Sequence, residues 1–209
     1  YFRNTRPDEL LAHALRAALA QVPGLDPAAI EDVICGCAIP EGAQGLNVAR
    51  IGAVLAGLPK SVGGITVNRF CASGLSALQM AADRIRVGEA DVMIAAGTES
   101  MSMVPMSGNK PSFNPAIFAR DENIGIAYGM GLTAEKVANQ WKVSREAQDA
   151  FALASHQKAI AAQQAGEFAD ETTPVAVVER FPNLESGEIA LKTRTVNQDE
   201  GARADTTLE

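Results

Sequence analysis

A chain of 209 residues, 47% hydrophobic and 21% charged, has globular composition and enough length for one full core, or a core with an accessory lobe. Its net charge of -7 and pI of about 4.9 argue against nucleic-acid binding as the main task, so an anionic ligand needs a local cluster of Arg and Lys. No apolar run reaches the roughly 18 residues that cross a bilayer. The N-terminal YFRNTRPDEL is no signal peptide, and the odd set Cys35, Cys37 and Cys71 has no disulfide-like spacing, which points to reduced thiols in a cytoplasmic protein.

In chain order, Pro7 followed by Asp8 and Glu9 starts a helix to about Gln21, with Leu10, Leu11, Ala14, Leu15, Ala18 and Leu19 at helical spacing. Pro23-Gly24 ends it, Asp26-Pro27 caps a short turn, and Asp32 to Ala38 reads as a strand. The loop PEGAQG leads into a helix from about Leu46 to Leu58. A strand from Gly64 to Phe70, a helix from about Ala72 to Val87 and a strand from Ala90 to Ala96 then follow with short joints. This is a βαβ unit, whose strands are parallel and whose crossover is right-handed. Residues 1–100 are therefore expected to form an α/β layer fold.

Residues 98–131 are rich in Met, Pro, Asn and Gly without clear periodicity. A loop that long carries function or belongs to an insertion. Helices are expected at about Thr133 to Gln140 and Ser144 to Ala165, with Ser144 as N-cap and Gly166 as the terminating glycine. Residues 174–196 read as two short strands around a turn at Pro182 to Gly187. The chain starts without methionine and stops at DTTLE with no closing element, so it is expected to be part of a longer one.

Chemistry concentrates at ITVNRFCASGL, where a strand stops at Cys71 and small residues open a helix. Ligands of parallel α/β sheets bind beyond the carboxyl ends of strands. A helix N-terminus favours negative charge, and the thiolate is the nucleophilic form of cysteine. A backbone N–H at such a corner is also suited to stabilise an oxyanion. The competing reading is a small, inert core cysteine, and position alone leaves both open.

Three stretches decide between them: VNRFCASGLSAL, GTESMSMVPM about a helix and a strand later, and GLTAEKVANQWKVSREAQDAFALASHQKA. Together, in order and over essentially the whole chain, they resemble the thiolase family, closest to the bacterial acetyl-CoA acyltransferases, the degradative 3-ketoacyl-CoA thiolases. The resemblance implies a layered α/β fold of thiolase type. Residues 1–100 would be the N-terminal half, with a buried central helix and without the family's first strand. Residues 101–209 would be an incomplete, mainly helical loop domain that covers CoA, and the C-terminal half would be absent. Cys71 would be the nucleophile that cleaves a 3-ketoacyl-CoA to acetyl-CoA and holds the shortened acyl group as a thioester, until CoA removes it. CoA is then a substrate, and neither cofactor nor metal is needed. Arg203, in DEGARADTTL, matches an arginine that lies against the nucleotide end of CoA. Met130, in YGMGLTAE, matches a methionine near the acyl pocket, with Gly129 where the biosynthetic enzymes have a histidine. Family members are homodimers or homotetramers.

Two histidines are present, and neither is a natural base for Cys71. His13 lies in the first helix with a partly exposed outlook, and His156 lies in a long helix beside Gln157 and Lys158, where a solvated position is expected. The family supplies its catalytic histidine, an asparagine and a second cysteine from the other half, and none of those motifs occurs here. Cys35 and Cys37 are two ligands where a zinc site needs about four, so they read as small buried side chains on one strand face. Glu99 reads as a structural carboxylate at a strand end. Two rivals stand beside the thiolase reading: a ketoacyl-synthase-like condensing enzyme, against which GTESMSMVPM speaks, and an acyl-CoA or lipid-binding relative without turnover.

Overall fold

A computed structural model describes residues 1–208, which divide into two compact units. The first unit contains residues 1–111 and 173–196, and the second contains residues 112–172 and 197–209, described here to 208.

The first unit is built on a three-stranded parallel sheet of β1 (Asp32–Gly36), β2 (Gly63–Val67) and β3 (Met93–Gly97), in the order β2-β1-β3. Asp32 pairs with Gly63 on one side and Met93 on the other, and Gly36 with Val67 and Gly97, so all three carboxyl ends finish at one edge. The chain moves from β1 outward to β2 through α2 (Val48–Leu55), then back across β1 to β3 through α3 (Ser73–Arg86). Right-handed crossovers in opposite directions put their helices on opposite faces of a sheet. That is the arrangement found: Val33, Cys35 and Cys37 pack with α2 and with α1 (Pro7–Ala20), whereas Ile34 packs with Ala77 and Ala81 of α3.

The central strand is thus buried on both faces, with Val33, Ile34 and Cys35 fully inaccessible. The larger cluster lies on the α1–α2 side, where Leu11, Leu15, Val48, Ala53, Leu58 and Val62 join it. Burying one such aliphatic side chain contributes about 1.5–3 kcal/mol, so this face carries most of the unit's hydrophobic stabilisation. The α3 side is thinner because glycine replaces a side chain there. A Cβ added to Gly36 would lie 2.5 Å from the Gly74 nitrogen and 2.5 Å from the Ser73 carbonyl carbon. Helix α3 therefore rests backbone to backbone on the end of β1. Its far face is open in this chain, with Leu75 70% and Leu78 57% exposed. The sequence led us to expect packing on both sides of α3, and the structure covers only the side toward the sheet.

Several predicted boundaries move by two or three residues, and two of them have a clear conformational reason. The second helix begins at Val48 rather than Leu46, because Leu46 sits at φ 56 and Asn47 caps the helix by accepting the Arg50 N–H. The strand predicted through Phe70 ends at Val67, because Phe70 adopts φ 45, which no strand tolerates. The unit is completed by an antiparallel hairpin of β4 (Val175–Pro182) and β5 (Ile189–Val196), tied across its strands by a 2.8 Å Arg194–Glu179 ion pair.

The second unit holds α4 (Met130–Trp141) and α5 (Arg145–Ala165), with 3-10 turns at Pro115–Ala119 and Asp121–Ala127 where the sequence showed no periodicity. Helix α4 starts three residues earlier than predicted. Ser144 caps α5 by accepting the Ala147 N–H, and Gly166 ends it at φ 73.

The Gly36 contact sets a clear expectation. Gly36→Ala forces two backbones apart and should lower stability by about 1–3 kcal/mol, the cost of overpacking a closed core, read as a reduced urea midpoint. The same change at Gly88, where a Cβ meets open space, tests the positive-φ penalty alone because Gly88 sits at φ 73.

Candidate functional site

Beyond the carboxyl edge of the sheet lie three loops, one after each strand. The loop after β1 is fastened to the loop after β3 by Gln44, a fully buried amide. Its nitrogen donates to the Ile39 carbonyl at 2.8 Å and to the Glu99 carboxylate, and its oxygen accepts the Ser100 N–H at 2.9 Å. The other Glu99 oxygen accepts the Ala38 N–H at 2.6 Å. Glu99 is thus committed to backbone and amide partners, as its structural reading anticipated. Nothing in the sequence singled out Gln44, since a buried glutamine carries no pattern of its own.

The loop after β2 carries Cys71. Residues 69–73 form two overlapping turns, with Ala72 N–H donating to Arg69 O at 3.1 Å and Ser73 N–H to Phe70 O at 3.0 Å. The Asn68 carboxamide oxygen accepts the Phe70 N–H at 2.9 Å. Phe70 stands at φ 45, a left-handed conformation that costs a non-glycine residue on the order of 1 kcal/mol or more. The turn reverses the chain within a few residues, so Cys71 immediately precedes Ala72, the N-cap of α3. Its thiol is exposed and free. It sits beside the positive end of the α3 dipole, where an anion is stabilised. The helix starts within one residue of its expected place and the thiol beside it is exposed, whereas the strand ends at Val67, so a short turn separates Cys71 from the sheet.

Cys35 and Cys37 have a different character. Both are buried and free, on the α1–α2 face of β1. Burial, with the neighbouring Cys37, pushes the Cys35 thiol up to about 12, and burial, with Glu99 nearby, pushes Cys37 up to about 11. Both are neutral thiols at physiological pH and poor nucleophiles. Among the described residues no group of three or more His, Cys, Asp or Glu side chains is arranged to hold a metal ion.

In the second unit a cavity of about 890 Å³ opens between α5 and residues 197–202, with His156, Gln163, Phe168, Glu171 and Asp199 in its wall. His156, expected to be solvated, is half-buried and accepts the Arg203 N–H on Nδ1 at 3.1 Å. Arg203 follows directly on the cavity wall at Ala202, with its side chain exposed. Met130 is the first residue of α4, 61% exposed, and does not line that cavity. His13, in the first unit, is half-buried with Nε2 3.4 Å from the Thr173 hydroxyl. No helix is long and apolar enough to cross a membrane among the described residues.

This combination of a parallel sheet, a cysteine at a strand-to-helix corner and a helical second unit has a family counterpart. Residues 1–209 match the thiolase N-terminal domain, and the chain belongs to that family. Among its relatives, the 3-ketoacyl-CoA thiolase of Bacillus subtilis (strain 168) is 45% identical over 204 residues, 98% of this chain and 51% of the relative. The 3-ketoacyl-CoA thiolase of Colwellia psychrerythraea is 43% identical over 209 residues, 100% of this chain and 51% of the relative. The crystal structure of the Bacillus anthracis acetyl-CoA acetyltransferase matches with a TM-score of 0.79 at 31% identity, covering 100% of this chain and 52% of that one. The chain thus spans about half the length of the curated relatives it matches.

Two outcomes follow for the thiols. Iodoacetamide should modify Cys71 alone in the folded chain and all three cysteines in urea, as read by peptide mass; labelling of Cys35 or Cys37 in the folded chain would contradict their burial. The folded values of about 12 and 11 lie above the ordinary 9.0, so the folded state retains protons that the unfolded state has lost. Stability from these thiols is full below pH 9 and should fall as pH rises toward 11 and 12, by up to about 1.4 kcal/mol per pH unit and group. Urea midpoints across that range should decline less steeply for Cys37→Ala.

Proposed function

We propose that this chain is the nucleophile-bearing half of a 3-ketoacyl-CoA thiolase. The observation that carries the reading is the exposed Cys71 thiol at the corner between β2 and α3, in a chain that matches the thiolase N-terminal domain throughout. The Cys71 thiolate attacks the keto carbon of a 3-ketoacyl-CoA. The bond between that carbon and the adjacent methylene breaks, its electron pair leaves with the methylene, and a proton there gives acetyl-CoA. The shortened acyl group remains as a thioester on Cys71. The thiol of CoA, losing its proton, attacks the thioester carbonyl and leaves as the shortened acyl-CoA, returning the Cys71 sulfur to its starting state. CoA serves as substrate, without metal or organic cofactor.

In this reading Arg203 meets the phosphates at the nucleotide end of CoA and Met130 borders the acyl pocket. The second unit then covers CoA, as an acidic chain requires local basic groups to do. The base for Cys71 comes from residues outside this sequence, in keeping with the half-length match to relatives. The 209 residues alone are inactive in turnover. The open face of α3, with Leu75 and Leu78, and the free edge of β2 are where the remaining half and a second subunit would pack. For the isolated chain a second reading is acyl-CoA binding without turnover, because it carries the exposed Cys71 thiol but spans only about half the length of its relatives.

The experiment is thiolysis by the intact protein. With a 3-ketoacyl-CoA and CoA it should release acetyl-CoA, and an acyl group should be found on the Cys71 peptide. Cys71→Ala should lower turnover by at least roughly 1000-fold, as loss of a covalent nucleophile does. Full activity in that variant would end the proposal. Arg203→Ala should raise KM for CoA about tenfold, the loss of one charged hydrogen bond, with kcat little changed.

A further inference from the structure

We propose that Ser73 is a positioning residue for Cys71, acting as a clamp that fixes the chain on both sides of the thiol; the catalytic part of this inference rests on the thiolase reading above. Ser73 is the first residue of α3 and is 3% exposed. Its hydroxyl does two things at once: Oγ accepts the Arg69 N–H at 2.8 Å and donates to the Phe70 carbonyl at 2.5 Å. The one hydroxyl thus spends its donor and an acceptor lone pair on the two residues that lead into Cys71.

The clamp has a fixed anchor. The Ser73 backbone lies directly against Gly36 at the end of β1, so close that an added Cβ would stand 2.5 Å from the Ser73 carbonyl carbon and 2.7 Å from its oxygen. Ser73 therefore cannot shift toward the sheet. On the other side of Cys71, Phe70 holds φ 45, which an unsupported phenylalanine abandons readily. The Phe70 carbonyl receives both the N–H and the O–H of Ser73, while Asn68 holds the Phe70 N–H. The path of restraint runs from sheet to Gly36, to Ser73, to Phe70, and closes around Cys71. Alanine at position 73 leaves the Arg69 N–H without that acceptor and keeps only one of two bonds to Phe70. Threonine keeps the hydroxyl.

The test uses the intact protein and compares Ser73→Ala, Ser73→Thr and Asn68→Ala. In Ser73→Ala the rate of Cys71 acylation by acyl-CoA should fall roughly 10- to 100-fold, as misplacement of a reacting group does, with KM nearly unchanged. Ser73→Thr should recover most of the rate, and Asn68→Ala should show a smaller loss of the same kind. Iodoacetamide labelling of Cys71 should drop in parallel toward the rate of an ordinary exposed thiol. Wild-type acylation and labelling in a folded Ser73→Ala would overturn the clamp, as would a Ser73→Thr as slow as the alanine variant. If Ser73→Ala fails to fold, the threonine and Asn68 variants decide the matter by the same rates. If wild-type Cys71 labels rapidly but never acquires an acyl group, the acyl-transfer reading falls, and the labelling comparison still judges the clamp.

Discussion

The rest of the first unit depends on one contact between two backbones. Gly36, the last residue of the central strand, lets the first turn of α3 settle directly onto the sheet. Close packing of this kind transmits position without slack, because neither partner has a flexible side chain to give way. Everything that makes Cys71 a distinctive thiol follows from it. The height of α3 above the sheet sets where the corner from β2 must turn, and the corner forces Phe70 into its left-handed conformation. A larger residue at position 36 moves the helix, and with it the whole loop after β2.

The same sheet treats its three cysteines in opposite ways, and the reason is geometric. Cys35 and Cys37 point into the cluster beneath α1 and α2, where burial keeps their thiols protonated. Cys71 has left the strand and stands at the carboxyl edge, in contact with solvent and next to a helix N-terminus. Residue type is identical, and solvent access is divided by whether the backbone has already left the sheet. The Gln44–Glu99 network stiffens the two neighbouring loops at that same edge, with the buried Gln44 amide spending its nitrogen and oxygen on partners in both loops, an arrangement that favours a single geometry.

Much of the fold was legible in the chain. The βαβ order and the long helix capped by Ser144 and Gly166 follow from periodicity and punctuation. Two of the boundaries that moved did so at Leu46 and Phe70, non-glycine residues at positive φ, which no propensity rule anticipates. The 3-10 turns between Pro115 and Ala127 were hidden because such short turns carry no apolar period. The grouping of the 175–196 hairpin with the first unit is a long-range association that local sequence does not encode. At the site, Cys71 was visible through its position and motif, whereas the supporting roles of Gln44 and Ser73, and the His156–Arg203 contact, were not. Each depends on residues brought together by folding, such as His156 and Arg203, which are 47 positions apart.

The sequence by itself determined the layered α/β class and a cysteine between a strand and the helix that follows it, because alternation, small-residue runs and caps act over a few residues. Only the tertiary structure decided which cysteine meets solvent, which glycine carries a helix on its backbone and which hydroxyl holds the corner. Those outcomes turn on contacts between segments, where a few tenths of an ångström separate a seated helix from a clash, and no local pattern records that distance.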